Sequence, residues 1–321
     1  MQTVSVNSYN MSRPSFSIII PVYGVEKYIS RFAESVLGQT YDNIQFVFVN
    51  DGTKDSSIEI LQGLIDTDYQ YLKDRIVIVN KQNEGLPATR RTGMEYAKGD
   101  YILHVDSDDW LETDAVERIA SKAVETGSEI IYFDFYKEYA SRSKHDVERE
   151  YDARTKMKFI HGLFNYKAYG YVWNKCVKRS VYDRAEVYFS PYGMHEDIYL
   201  MSQLIFNAES ITHLNAPLYH YRRDNPGSIS TSRRRSRRKD SAMNMLDLYE
   251  HFKDDPADSP IRDVTGEIMF RSGWLSLRYG FGFFDKYSYL SKMIRTLPLS
   301  FRNKTFILWQ LIVKLYVLFK Y

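Results

Sequence analysis

The residues best suited to chemistry are two aspartates one position apart, Asp106 and Asp108, directly after the β-forming run YILHV. If the strand continued through them, its period of two would turn both carboxylates to the same side. Carboxylate oxygens suit a hard cation such as Mg²⁺ or Mn²⁺, which keeps positions open for phosphate oxygens and neutralises charge on a departing diphosphate. Acidic loop residues and helix caps explain most such pairs, and Asp109-Trp110-Leu111-Glu112 itself reads as a capping box for the next helix.

The elements that must position these carboxylates follow an alternating pattern from Phe16 onward. Five runs rich in Ile, Val and Phe are predicted as strands: Phe16 to Ile20, Ile44 to Val49, Arg75 to Val79, Tyr101 to Val105 and Glu129 to Phe135. Segments of helical period lie between them, at Tyr28 to Val36, Ile58 to Ile65 and Ala115 to Ala123. This alternation is typical of an α/β fold with a parallel sheet covered by helices on both faces.

In such a sheet the ligand lies outside the carboxyl ends of the strands, so the residues after each run are candidates for binding. These are Pro21 to Gly24, Asn50 to Gly52 and the segment from Asn80 onward, besides the two aspartates. The densely charged segment Lys137 to Lys156 is predicted to be a hairpin or loop that joins two halves.

Composition narrows the class of protein. The chain has 321 residues, of which 44% are hydrophobic and 26% charged, as in an average soluble protein. The net charge of +2 gives no field that favours a nucleic-acid partner. The single cysteine, Cys176, excludes an internal disulfide and a cysteine-based zinc cluster.

Six segments occur in a characteristic order: SIIIPVYG, QTYDNIQFVFVNDGTKDS, NEGLPATRRTG, AKGDYILHVDSDDW, HEDIYL and PLYHYRRDNPGSIS. On these motifs the chain resembles family 2 glycosyltransferases over roughly Ser15 to Ser232. The resemblance implies a GT-A fold, that is, a Rossmann-like mixed sheet with flanking helices that binds a nucleotide-sugar. It also implies a metal-dependent transfer of one sugar to an acceptor hydroxyl, in a single displacement with inversion at the anomeric carbon.

Several donor-binding residues follow from the resemblance. Pro21, Val22 and Tyr23 are expected to line the base pocket, with a ring face of Tyr23 offered to the base. Asp51 looks like the residue that reads an imide N–H, which favours uracil or thymine over guanine. The remaining residues assigned by resemblance to the donor and its metal are Asn83 and Arg90 on the nucleoside side, Asp106 at the ribose or a metal-bound water, and Asp108 as the direct metal ligand.

The resemblance also implies catalytic and acceptor residues. Asp197, in the segment His195-Glu196-Asp197, matches the family's general base, with Glu196 as the less favoured choice; an acidic pair at a helix N-terminus is the alternative. Trp173 and Lys175 match a stretch that lines the acceptor site in relatives.

Near its end, the resemblance reaches the segment from Tyr219 to Ser230, which looks like a closing lid. Arg222 is expected to clamp the diphosphate, and His220 to complete the metal shell unless it is a packing residue.

The predicted organisation has a flexible tail at residues 1–14, a catalytic domain at 15–232 and a mainly helical region at 233–321. The catalytic domain divides into a nucleotide-binding half, 15–115, and an acceptor-side half, 116–232. The N-terminus lacks the apolar run of a secretory signal, so a cytoplasmic protein is expected.

Two segments near the C-terminus suggest a membrane surface. The basic run Arg233 to Lys239 and the apolar stretch Phe306 to Phe319 are together two weak signals for peripheral contact with an anionic membrane. Such contact would place the protein beside a lipid-linked glycan acceptor at the inner face of the membrane.

Two other functions fit parts of the pattern. One is a catalytically inactive protein of the same fold that binds a nucleotide-sugar or a partner subunit, although the presence of Asp106, Asp108 and Asp197 disfavours it. The other is a nucleotidyltransferase, which should have a glycine-rich phosphate loop after its first strand; PVYG is a poor substitute.

Overall fold

The computed structural model describes residues 13–139, 146–164 and 167–225, together with seven isolated positions between 240 and 308. The predicted lid beyond Asn225, the basic run and, apart from Leu308, the apolar C-terminal stretch lie outside this part of the chain. Among the described residues, no helix combines the length and the apolar character that crossing a membrane would require.

Nine strands form one sheet in the described residues. Their bounds are β1 Phe16–Val22, β2 Ile44–Asn50, β3 Ile76–Asn80, β4 Tyr101–His104, β5 Trp110–Leu111, β6 Ile130–Glu138, β7 Asp146–Glu148, β8 Lys175–Lys178 and β9 Ile211–Arg222. The order across the sheet is β3-β2-β1-β4-β8-β6-β9-β5, and β7 pairs with β6. The first four strands in this order are mutually parallel, whereas β8 is antiparallel to both neighbours and β5 is antiparallel to β9.

Helices cover both faces of the sheet. Their bounds are α1 Ile29–Leu37, α2 Ser57–Thr67, α3 Leu86–Tyr96, α4 Ala115–Thr126, α5 Lys156–Phe164, α6 Arg179–Ala185 and α7 Glu196–Asn207. One buried cluster joins α1, α2 and α4 to one face of the sheet, and a second joins α5, α6 and α7 to the other. The alternating side chains of β1 supply both clusters, as Ile18 and Ile20 do for the first and Ile19 for the second.

The five predicted strands are all confirmed within about three residues at each end. The parallel pairing expected from the strand alternation holds for β3, β2, β1 and β4, whereas β8 inserts between β4 and β6 in the opposite direction. The mixed sheet implied by the resemblance is therefore confirmed. The segment from Lys137 was predicted to be a hairpin or loop, and the antiparallel pairing of β6 with β7 at its start agrees with a hairpin.

The capping box predicted at Asp109 is wrong. Trp110–Leu111 is a short strand, and α4 begins later, at Ala115, with Asp114 before it. The apolar pair Trp110 and Leu111 pairs with β9, and this long-range contact overrides the local helix signal.

Helix α3 lies unusually close to β1. A Cβ atom added at Gly93 would stand 2.3 Å from Cγ2 of Ile19. At the end of the following turn, a Cβ at Gly99 would stand 2.4 Å from the backbone nitrogen of Ser17. Both glycines are therefore required by the close approach of this segment to β1.

Candidate functional site

Asp106 and Asp108 lie in a tight turn that follows β4, not on the strand itself. The turn is closed by a 3.2 Å hydrogen bond from the backbone N–H of Asp109 to the carbonyl oxygen of Asp106. The Ser107 hydroxyl donates a 2.6 Å hydrogen bond to the carbonyl of Pro21 and so fastens the turn to β1. The predicted strand period is thus wrong here, and the turn brings the two carboxylates together.

A first cavity of about 390 Å³ opens at the carboxyl ends of β1, β2 and β4. It is lined by six of the predicted binding residues: Pro21, Tyr23, Asp51, Asn83, Asp106 and Asp108. The prediction for Val22 is wrong, because this side chain is fully buried in the core on β1. Alternate residues of a strand face opposite sides, so Val22 cannot share the exposure of Tyr23.

Asp51 organises the rim of the first cavity. Its two carboxylate oxygens accept backbone N–H bonds of 2.9 Å each, from Glu84 and from Gly85 at the start of α3. The next residue, Gly52, has a φ of +67°, and a Cβ there would stand 3.0 Å from the backbone nitrogen of Asn83. Two of the four lone-pair sites of the carboxylate are taken by the backbone, which leaves acceptor capacity for a ligand.

A second cavity of about 270 Å³ adjoins the first and shares Leu86, Asp106 and Asp108 with it. Its remaining walls come from four parts of the chain and include Arg90, Tyr171, Trp173, Glu196, Asp197, Tyr221 and Arg223. The two aspartates therefore stand where two separate compartments meet.

Arg90 lines the second cavity, and its predicted contact with the nucleoside side of the donor stays a prediction. Its guanidinium is buried and forms ion pairs with Asp106, at 2.8 Å, and with Glu196. Burial disfavours the cation, but the two carboxylates outweigh that effect and raise the pKa of Arg90. Arg90 thus links the aspartate turn to the first turn of α7.

Glu196 and Asp197 begin α7, after His195 in a left-handed conformation with φ of 63°. Burial raises the pKa of both carboxyl groups above the ordinary range. Glu196 is engaged by Arg90, whereas the hydrogen bond recorded for the Asp197 side chain is 2.8 Å long and comes from the backbone N–H of Ile198. Of the two, Asp197 is therefore better placed to accept a proton from a ligand.

The donor set at the aspartate turn fits a divalent cation that a ligand helps to hold. Burial and the neighbouring Asp106 carboxylate raise the pKa of Asp108, and burial followed by repulsion from Asp108 and Asp106 raises that of Asp109 well above its usual range. A cation beside the turn would relieve this repulsion. In the described part of the chain, no three His, Cys, Asp or Glu side chains are grouped so that they could hold a metal ion by themselves.

Asp109 holds strand β9 against the turn. Its carboxylate accepts a 2.7 Å hydrogen bond from the Tyr219 hydroxyl and another of 2.7 Å from the backbone N–H of Arg222. The Arg222 guanidinium donates to the backbone carbonyl of Asp108 at 3.1 Å and lies over the Tyr28 ring. Arg222 thus lies beside the turn without lining either cavity, and its role as a diphosphate clamp stays a prediction.

His220 does not complete a metal shell, so that prediction is wrong. Its Nδ1 lies 2.6 Å from a carboxylate oxygen of Glu138, and its Nε2 lies 3.0 Å from one of Glu112. The ring is stacked between Trp110 and Tyr136. Both nitrogens are engaged within the protein, and the packing alternative is the one observed.

Trp173 lines the second cavity, but both of its faces are covered. The Trp173 ring is stacked on the Tyr171 ring, with 4.6 Å between the ring centroids, and on the Tyr219 ring, with 4.3 Å between the centroids. Because Trp173 is only 4% exposed, it offers a ligand its edge and not its face.

Lys175 does not line the acceptor cavity, contrary to prediction. Its side chain is fully buried, and its ammonium group donates to Glu150, to Asn174 and to the carbonyl of Tyr171. Burial lowers the pKa of Lys175. Lys175 therefore supports the backbone of the cavity wall from behind.

Asn225 was missed by the sequence analysis. Its side-chain amide donates a 2.7 Å hydrogen bond to the Asp108 carboxylate, and it lines the first cavity. It lies in the motif segment that ends at Ser230, so its position in the motif was the available signal. Tyr171, Tyr221 and Arg223 were also missed, because an aromatic-rich stretch without a spacing pattern does not reveal which rings line a cavity.

Comparison with known proteins gives consistent relatives. Residues 17–185, more than half of the chain, match the family described as Glycosyl transferase family 2. The putative glycosyltransferase EpsH of Bacillus subtilis is 33% identical over 218 residues, which are 66% of this chain and 62% of EpsH. The matched region thus spans less than two thirds of that relative's length.

Two solved structures share the fold. Staphylococcus aureus TarS 1–349, crystallised with UDP-GlcNAc, superposes with a TM-score of 0.67 at 17% identity, covering 88% of this chain and 82% of TarS. The mannosyltransferase PcManGT of Pyrobaculum calidifontis, in complex with GDP-Man and Mn²⁺, gives a TM-score of 0.56 at 13% identity, covering 95% and 82% of the two chains. These superpositions confirm the mixed sheet with flanking helices that the motif order implied.

Proposed function

The chain belongs to glycosyl transferase family 2 and is a glycosyltransferase of the GT-A fold, and from this premise we propose that it transfers a sugar from a UDP-sugar to a hydroxyl group of a glycan. The reaction proposed is metal-dependent and inverts the anomeric carbon. The observation that carries the proposal is the meeting of two cavities at Asp106 and Asp108, since a transferase must hold two substrates on either side of one reacting bond.

The first cavity is the proposed donor site. Tyr23 is 55% exposed at its rim, where its ring is available to a nucleobase. Asp51, already fixed by two backbone N–H groups, is placed to accept an imide N–H, which uracil has. TarS binds UDP-GlcNAc and PcManGT binds GDP-Man, so the base preference proposed for this chain rests on Asp51 and not on the shared fold.

The aspartate turn is the proposed metal-binding edge of the donor site. Asp108 is the proposed residue that would hold Mn²⁺ or Mg²⁺, and Asp106, held by Arg90, is the proposed contact to the ribose or to a metal-bound water. The cation supplies Lewis-acid stabilisation of the departing diphosphate. Asn225 orients the Asp108 carboxylate through its side-chain amide.

The second cavity is the proposed acceptor site, and Asp197 is the proposed general base. Its carboxylate takes the proton of the acceptor hydroxyl as that oxygen attacks the anomeric carbon from the face opposite the diphosphate. Arg90 forms an ion pair with Glu196 beside it, so Asp197 is the proposed base of these two carboxylates. The edges of Tyr171 and Trp173 and the exposed Arg223 complete the surface offered to a glycan.

We propose that the acceptor is a lipid-linked glycan at the inner face of the cell membrane. The proposal rests on the basic run 233–239 and the apolar stretch 306–319. Deleting residues 308–321 should reduce sedimentation with anionic vesicles if this part of the proposal is correct.

The proposed function is tested by supplying a panel of nucleotide-sugars and glycan acceptors with Mn²⁺, Mg²⁺ or a chelator, and by measuring nucleotide release and sugar transfer. Transfer should require the cation and prefer UDP-sugars. The variant Asp108→Asn should lose about a hundredfold in rate, because metal stabilisation of the leaving group is worth several kcal/mol. Asp74→Asn, at an exposed position near the start of β3, is the matched control and should retain full activity.

Donor binding without turnover by the wild-type chain would contradict the proposal. That result would favour the inactive nucleotide-sugar-binding protein. Equal rates for Asp108→Asn and the control would remove Asp108 from the mechanism.

A further inference from the structure

Four side chains from four elements form a stacked column beside the aspartate turn. The guanidinium of Arg31 in α1 lies 3.5 Å above the Trp110 ring of β5. The Trp110 ring is stacked on His220 of β9 at 4.9 Å and 13°, and His220 is stacked on Tyr136 of β6 at 4.5 Å and 21°. His220 is therefore held between two aromatic faces, which attract a cation.

Two glutamates bind the edge of the same imidazole. Oε1 of Glu138 lies 2.6 Å from Nδ1, and Oε1 of Glu112 lies 3.0 Å from Nε2. An ionised carboxylate only accepts hydrogen bonds, and a neutral imidazole has a single N–H. Both contacts are satisfied together when both ring nitrogens carry protons, so the geometry fits an imidazolium that bridges two carboxylates.

The column is continuous with the end of β9 that grips the aspartate turn. Two residues after His220, the backbone N–H of Arg222 binds the Asp109 carboxylate at 2.7 Å, and its Nε binds the Asp108 carbonyl at 3.1 Å. Three residues further on, Asn225 binds the Asp108 carboxylate at 2.7 Å. Each of these contacts depends on where the end of β9 lies.

We propose that His220 is a positioning residue that, as an imidazolium between Glu112 and Glu138, fixes the end of β9 and thereby orients Asp108 for cation and donor binding. This inference rests on the proposed function for its kinetic consequence. It assigns a role to a histidine that touches neither cavity.

The other charged groups facing the column are known for the described residues. Arg31 of α1 and Arg222 of β9 lie over the Trp110 ring. Among the titratable neighbours of Tyr136 are Glu112, Arg118 of α4 and Glu138. Glu112 and Glu138 contact the two nitrogens of the imidazole.

The inference predicts a specific loss when the contacts of His220 are removed. Without them, Glu112 and Glu138 no longer hold the imidazole and the end of β9 is less firmly fixed. Both kcat/KM for the donor and the affinity for Mn²⁺ in the presence of UDP should then fall.

Two variants and one matched control separate positioning from simple structural support. His220→Gln should weaken Mn²⁺ binding in the presence of UDP about tenfold, as loss of an outer-shell partner does. Glu138→Gln, which keeps the packing, should weaken it less, because the imidazole keeps its contact with Glu112. His213→Gln is the control: His213 also lies in β9, stacks on Tyr132 and contacts Asp134, which lies away from the aspartate turn, so Mn²⁺ binding should stay unchanged.

A readout without turnover completes the test. Nitrogen-15 NMR would observe the seven histidines, and the signals of His220 are those absent from the His220→Gln spectrum. At neutral pH they should show that both ring nitrogens of His220 are protonated. A neutral imidazole there, or Mn²⁺ binding that is unchanged in His220→Gln, overturns the inference. A wild-type chain that transfers no sugar overturns the proposed function instead, and the NMR and Mn²⁺-binding results then still decide the role of His220.

Discussion

The two cavities that meet at Asp106 and Asp108 are built in different ways. The first is shaped by backbone: Asp51 is held by two N–H groups of the loop before α3, and Ser107 is held by the carbonyl of Pro21. The second is shaped by buried charge, because Arg90 joins Asp106 to Glu196. With the proposed roles, the difference predicts that donor binding depends on loop geometry, whereas acceptor activation depends on electrostatics between side chains distant in sequence.

The largest effect expected from this comparison is on the acceptor side. Asp197→Asn should lower kcat by about 10² to 10⁴, the usual value of a general base, while KM for the donor stays unchanged. Steady-state kinetics with each substrate varied in turn would measure the split. Asp183→Asn, at an exposed position in α6, is the control. A rise in donor KM without a loss of kcat would place Asp197 on the wrong side of the site.

A smaller effect is expected on the donor side. Asp51→Asn puts an amide NH₂ against one of two backbone N–H groups, so one donor is left unpaired and the loop before α3 shifts. KM for the nucleotide-sugar should rise about tenfold to a hundredfold, corresponding to the cost of one unsatisfied buried group, with little change in acceptor KM. Isothermal titration with UDP would measure the same loss without turnover. An equal change in both KM values would show that the two cavities are not independent.

The smallest effect expected is on stability, and it depends on pH. Burial raises the pKa of Asp197, so ionisation of this group at neutral pH opposes folding. Its stabilising contribution is complete below the unfolded pKa and is lost as pH rises through the raised folded pKa. Asp197→Asn should therefore melt at a higher temperature than wild type at neutral pH, and the difference should vanish at acid pH. Scanning calorimetry at several pH values would measure this, and a variant less stable at neutral pH would contradict it.

The contrast between the cavities also explains what the sequence could reveal. β1, β2 and β4 are continuous apolar runs, so the strand ends and the residues after them were predictable, including Pro21, Asp51 and Asp108. Pro21 and Asp51 have their partners on neighbouring parallel strands or in the loop before α3, whereas the Asn225 partner of Asp108 is 117 residues away. The motif order added the GT-A fold and placed Asp197 at the start of a helix.

The rest was hidden because it depends on long-range partners. Arg90 meets Glu196 across 106 residues, and the backbone contact of Asp109 with Arg222 spans 113. A lysine is usually exposed, and only the structure shows that Lys175 is buried with Glu150 and the carbonyl of Tyr171 as partners. His220 lies in a segment that pairs with Trp110, a residue that local signals assigned to a helix start. No local spacing encodes these contacts.

The absence of a Cβ atom at Gly93 limits how the shapes of the two cavities can change. The first turns of α3 form the partition between the two compartments, with Thr89 facing one, Arg90 the other and Leu86 both. Because this helix is seated directly on Ile19, the partition cannot move towards the sheet, and moving it away would open a void beneath it. A variant with a larger cavity on either side must therefore carry smaller side chains on these turns of α3, at positions such as Leu86, while the helix itself keeps its position.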